Sequence, residues 1–180
     1  MEKLYLIKAS LQNDIERLLK IRMQKMLEIY EAAKITILAD CNEKLNCIVR
    51  GRQGFIMISF LRSSYITKCY NFRIAFYEKE LFVEENPAAF LYNMSSYLRG
   101  VEEDISYLWK KADKGFIQVF SWRKEELRRF YMEKIYKESE IIFQKIISEI
   151  DSMGEEIGVF YGEEMGYVEQ IGVIGSRKES

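Results

Sequence analysis

Phe55-Ile56-Met57-Ile58-Ser59-Phe60-Leu61 is the stretch on which the fold turns. A strand sends alternate side chains to opposite faces, and both faces of this one are apolar. That pattern predicts a strand central in a sheet and covered on both sides, with helices supplying the second cover. Downstream, Phe72-Arg73-Ile74-Ala75-Phe76-Tyr77 puts Phe72, Ile74 and Phe76 on one face and Arg73, Ala75 and Tyr77 on the other, the mark of a half-buried antiparallel strand. With Leu45–Val49 before them and Leu81–Val83 after them, these segments predict a strand meander over 45–85, with a turn at Gly51–Gly54.

Working outward, residues 1–39 contain neither Gly nor Pro, and Leu4, Leu11, Ile15, Leu18, Met26, Ile29 and Ala33 form a helical stripe, so one long helix is expected there. Asn86 followed by Pro87 reads as a helix start, and Phe90, Leu91, Met94, Leu98, Val101, Ile105, Leu108 and Ala112 extend a helix over 86–113. A strand at 115–120 and a long third helix at 121–153, capped by Ser121, follow. Beyond Gly154, the motif GEExG occurs at 154–158 and again at 162–166. Its glycines disfavour helix, and 154–175 is expected to form a terminal hairpin. The fold expected is a single α+β domain over 1–180, with an antiparallel sheet of about four to six short strands, three main helices and a C-terminal β-hairpin. This order of elements resembles that of small bacterial secretion chaperones, which also set helices around a short antiparallel sheet. The resemblance is one of topology and carries no motif.

The second half of the third helix is apolar over a wide arc: Ile142, Phe143, Ile146, Ile147 and Ile150 exceed what one sheet contact needs. Either the N-terminal helix or a second copy of the chain must cover it, and two helices of more than thirty residues favour a homodimer with these five side chains at the interface.

Composition narrows the chemistry. The 180 residues include no histidine, which removes Ser–His, Cys–His and His-ligated metal mechanisms from this chain. Cys41, Cys47 and Cys69 are an odd number without CxxC spacing, read as reduced thiols of a cytoplasmic protein with no metal site. The apolar opening Leu4–Ile7 is too short for a signal core, and no later run approaches membrane length, so no membrane contact is expected. Net charge is −1, from 27 basic and 28 acidic side chains. Together with the missing RNP-like pattern, that balance argues against nucleic acid. Locally, 41–80 carries +4 and 151–180 carries −5, segments able to attract each other.

No catalytic residues and no cofactor are assigned. The leading expectation is a non-enzymatic cytoplasmic module that binds another protein, chaperone-like, toxin-neutralising or regulatory, through helix faces or a tyrosine-rich surface that includes Tyr92, Tyr97, Tyr107, Tyr131 and Tyr136. The alternative is a module for a small anion, with Arg62, Arg73 and Tyr77 lining a pocket between sheet and helices. Arg50 and Arg52 in the loop Arg50-Gly51-Arg52-Gln53-Gly54 form a second candidate anion site. A further alternative is a histidine-free enzyme working through glutamates that converge in one cleft with at least one desolvated.

Overall fold

A computed structural model describes residues 2–61, 67–81, 86–115, 121–150, 156–163 and 166–175. The chain opens with helix α1 (Glu2–Ser10) and continues into α2 (Gln12–Val49). Helical hydrogen bonds run through the junction, Leu11 N–H to Ile7 O at 3.1 Å and Ile15 N–H to Leu11 O at 2.9 Å. There the Ser10 hydroxyl also donates to Ile7 O at 2.9 Å, a side-chain competitor that loosens the turn. Two further helices, α3 (Val101–Gly115) and α4 (Ser121–Glu149), and strands β1 (Phe55–Phe60), β2 (Asn71–Tyr77), β3 (Ala88–Asn93), β4 (Ile157–Glu163) and β5 (Val168–Ile174) complete the described elements.

The class is α+β with a C-terminal hairpin, and the strands form one sheet in the order β3-β2-β1-β4-β5. The sheet is mixed where an antiparallel one is expected. Hydrogen bonding of β1 to β2 is antiparallel, with Ile58 opposite Ile74, but β1 and β4 are parallel, with Ile58 opposite Tyr161. The chain returns to β1 only after α3 and α4, and such a crossover lets it arrive in the same direction.

Three further expectations are corrected. Residues 45–49 are the last turns of α2 and not a strand, because Cys41, Leu45, Ile48 and Val49 are buried together at helical spacing. The β-branched run Ile35-Thr36-Ile37 stays inside the same helix, with Ile35 in solvent. The expected helix over 86–113 is divided. Ala88–Asn93 is a strand pairing with β2, and helix begins only at Val101 after the turn at 95–100. Pro87, lacking an N–H, suits the entry to a strand as well as to a helix. Of the strand expected at 115–120, Gly115 belongs to α3 and 116–120 lie outside the described residues.

The core sits between the sheet and α2 and α4. Ile56 and Ile58 from β1, Phe72, Ile74 and Phe76 from β2, and Ile157, Val159 and Tyr161 from β4 point into it. Met57, Ala75 and Tyr77 occupy the opposite face and are buried with Leu81, Phe160 and Val168 in a small cluster of their own, without a helix layer among the described residues.

The five side chains expected at a dimer interface belong to this core. Ile142, Phe143, Ile146, Ile147 and Ile150 are at most 8% exposed. Four of them, Phe143, Ile146, Ile147 and Ile150, close around one small apolar gap with Cys41 and Leu45 of α2 and Ile56, Ile58, Ile74, Val159 and Ile174 of the sheet. The wide apolar arc of α4 is covered by α2 on one side and the sheet on the other, so the width that pointed to a second copy is satisfied within the chain.

Candidate functional site

Each basic residue expected to hold an anion is engaged otherwise or lies outside the described residues. The loop at 50–54 leaves the C-terminus of α2, where the helix dipole is negative and repels anions. Arg50 takes a left-handed conformation (φ 51°) that ends the helix, its N–H bonding to Asn46 O at 3.0 Å. The Arg52 guanidinium bonds the terminal carbonyls of Val49 (3.1 Å) and Ile48 (2.6 Å), pairs with Glu78 and lies over the Phe76 ring. These two arginines finish a helix. On β2, Arg73 donates to the Tyr77 hydroxyl at 3.2 Å, but both lie on the face away from the helices, so the pocket expected between sheet and helices is not theirs. Arg62 lies outside the described residues. Of the tyrosines expected at a surface, Tyr92, Tyr97, Tyr131 and Tyr136 are buried, and Tyr107 alone is exposed.

Two charged networks fix the helices that frame the molecule. Arg22 of α2 forms a two-point pair with Asp104, its Nη2 at 2.8 Å from Oδ1 and its Nε on Oδ2. It also donates to the carbonyls of Arg99 (2.6 Å) and Gly100 (2.7 Å), while the Tyr131 hydroxyl donates to Asp104 at 2.9 Å. Beside it, Arg128 donates to both oxygens of Glu102 at 2.7 Å, and Tyr70 and Lys68 join the same carboxylate. Both acids stand in the first turn of α3, where the helix dipole favours negative charge. A surface cleft of about 540 Å³ opens next to Arg22. Its rim mixes Lys25 and Arg99 with Glu28 and Glu103, and the Arg22 guanidinium is paired with Asp104, so it presents no net charge to a ligand.

A second cleft, about 250 Å³, lies between α4 and the β4–β5 hairpin and differs in kind. Phe60, at the end of β1, and Tyr161 form its floor, and Tyr167, 79% exposed, stands at its edge. Phe60 stacks on Tyr136 of α4 with centroids 4.9 Å apart, and the Tyr161 hydroxyl donates to the Tyr136 carbonyl, so the floor is braced against the helix. Around it stand Glu133 and Glu140 from α4 and Glu163 and Glu169 from the hairpin, with one basic lining residue, Lys137, while Arg129 pairs with Glu133 at 3.0 Å.

The placement follows from local rules. Residues 133, 137 and 140 share one face of α4 at spacings of four and three. Tyr161 and Glu163 are two apart on β4, hence on one face, and Glu169 is the direct partner of Tyr161 across the hairpin. Gly162 is required here because a Cβ would strike the Tyr167 carbonyl, and the turn closes with Gly166 N–H bonding Glu163 O at 2.9 Å. Gly162 and Glu163 of the second GEExG copy therefore line one wall of the cleft.

Burial raises the Glu140 carboxyl above its ordinary value, and the neighbouring charge of Glu169 acts in the same direction against Lys137 and a hydrogen bond from Gln144. Glu163 and Glu169 of the acidic C-terminal segment thus line an acidic cleft. Among the described residues, no three carboxylate or thiol groups are grouped to hold a metal ion. Of the free thiols, Cys47 and Cys69 are exposed, and Cys41 is pushed up to about 12 by burial and by the charge of Asp40.

Sequence reading missed Glu133, Glu140 and Glu169 as site residues. Its one clue was the Gly-rich repeat carrying Glu163. Compared with known proteins, no family model matches the chain, and no curated protein and no solved structure matches it. Among the described residues, no helix is long and apolar enough to cross a membrane.

Proposed function

We propose that the protein is a non-enzymatic, cytoplasmic interaction module that docks a basic segment of another protein, with a lysine or arginine side chain entering the cleft between α4 and the hairpin. The observation that carries this reading is a cleft with an aromatic floor lined by four glutamates and a single lysine, an acidic excess that persists after Glu133 is paired with Arg129 at 3.0 Å. A guanidinium or ammonium group is attracted to carboxylates and to the faces of Tyr and Phe rings alike, and the attraction strengthens where the site is partly desolvated. An anionic ligand would meet repulsion there, and the arginines that could have received it elsewhere are bonded to backbone carbonyls, Glu78 and Tyr77. The exposed thiols of Cys47 and Cys69 suit a reducing compartment. Chaperone-like, neutralising and regulatory roles all use such a surface.

Calorimetric titration with an arginine- and lysine-rich peptide, against a neutral peptide of the same length, tests the reading. Binding of the basic peptide alone is expected, weakening with salt and falling about tenfold, roughly 1.4 kcal/mol, in a Glu140→Gln/Glu169→Gln variant. Equal affinity for the neutral peptide, or indifference to the double substitution, would overturn it.

One observation favours a second reading. Glu140, desolvated and raised beside Glu169, satisfies the condition set for carboxylate acid–base chemistry. Under that reading, a hydrolytic activity would fall with rising pH as Glu140 ionises, and Glu140→Gln would abolish it.

A further inference from the structure

The sheet ends at β3, which pairs with β2 and with no other described strand. Beyond the register Asn71 opposite Asn93, the ladder continues with Met94 N–H bonded to Tyr70 O at 2.7 Å. Antiparallel alternation then turns the peptide groups of Phe90 and Tyr92 toward β2 and those of Ala89, Leu91 and Asn93 outward. Edge strands usually carry a charge or a proline that discourages pairing. Ala88–Asn93 has neither, and Leu91 is 56% exposed. The opposite edge, β5, is interrupted by a register shift opposite Val159/Phe160 and carries Glu169.

We propose that β3 pairs antiparallel with β3 of a second copy of this chain, about a two-fold axis at Leu91, to give one sheet of ten strands through the dimer. Self-pairing is the arrangement this edge fits electrostatically, because an uncharged strand meets its own copy without like-charge repulsion. The outward peptide groups set the register. Leu91 faces its own mate, Ala89 faces Asn93, and the intervening pair sets Phe90 beside Tyr92, an aromatic cross-strand contact. A groove of about 380 Å³ between α2 and β3 runs along the same edge, and its apolar lining of Ile29, Ala33, Ile37 and Leu91 offers surface for the second copy to cover, while its two charges, Asp40 and Lys44, pair with each other at 2.7 Å. The proposal is independent of the acidic cleft, which lies across the sheet.

Native mass spectrometry of the full chain reads the stoichiometry, with a dimer expected at about twice 21.4 kDa. Leu91→Lys places like charges together at the axis and is expected to raise the dissociation constant about tenfold or more. Val173→Lys on the exposed part of β5 is expected to leave it unchanged. Hydrogen exchange of the unsubstituted protein across a dilution series makes the test independent of any variant's folding, with Ala89, Leu91 and Asn93 amides expected to gain protection as concentration rises. A monomer throughout, a dimer broken by Val173→Lys but not by Leu91→Lys, or β3 protection that ignores concentration would each overturn the proposal.

Discussion

Arg128 is 3% exposed along its side chain and pairs with Glu102, a carboxylate that Tyr70 and Lys68 share. Burial works to raise the Glu102 carboxyl, but the Arg128 and Tyr70 hydrogen bonds and the charges of Arg128 and Lys68 outweigh it and hold it at about 2, against an ordinary 4.5. Because the folded value is the lower one, this group contributes stability above pH 4.5, and the contribution is lost as pH falls toward 2. In urea titrations at stepped pH, Glu102→Gln is expected to lower stability at neutral pH and to flatten the decline across that interval. An unchanged acid limb would remove Glu102 from the account. Arg22→Leu leaves Asp104 buried without its counterion and is expected to cost about 3–5 kcal/mol, much of it recovered in Arg22→Leu/Asp104→Leu, as chemical denaturation would show. Neither arginine was singled out from the sequence, although Arg22 left a local trace there. Arg22 occupies a position of the buried series Leu18, Arg22, Met26, Tyr30, and a charge on an apolar stripe signals a buried pair. The sequence could not name the partner, since Asp104 lies 82 residues away and meets Arg22 only through tertiary packing.

Among elements, α2 shows how a local signal can be read in two ways. Its 38 residues span about 57 Å, and its end is fixed by the left-handed Arg50 and by the Arg52 guanidinium on the last carbonyls. Arg52→Ala is expected to fray the final turn and cost about 1 kcal/mol, seen as faster amide exchange at 46–50 with little change elsewhere. Reading Arg-Gly-Arg as an anion loop placed it between two strands. Once the preceding segment is known to be helical, the same residues become a C-terminal cap. The error at 88–93 has a similar origin. Phe90, Leu91, Met94 and Leu98 fit a helical stripe, while Phe90 and Tyr92 toward the core with Ala89 and Leu91 away fit a strand. Pairing with β2 decides for the strand, a tertiary term that a local pattern does not contain. The hairpin was legible because its glycines both disfavour helix and permit close strand approach.

At the scale of the whole molecule, the acidic cleft exists because three distant segments meet: Phe60 from β1, Glu133, Lys137 and Glu140 from α4, and Tyr161, Glu163, Tyr167 and Glu169 from the hairpin. Parallel pairing of β4 with β1 brings them together by setting Phe60 opposite Glu163. No periodicity in the sequence announces that pairing, which is why the α+β class could be read and the site could not. The cleft has an energetic signature that separates a binding site from an incidental cluster. The folded value of Glu140 is raised, so its ionisation destabilises the native state as pH rises through that value, and the molecule carries this cost at neutral pH. Glu140→Gln removes the charge and retains the oxygen that accepts from Gln144. At pH 7 it is therefore expected to raise Tm slightly, on the order of 1–2 °C, while weakening the basic peptide. A site kept for packing would lose stability on substitution, and an idle surface glutamate would change neither quantity. Differential scanning calorimetry beside the peptide titration distinguishes the three, because only a ligand-directed charge moves stability and affinity in opposite directions.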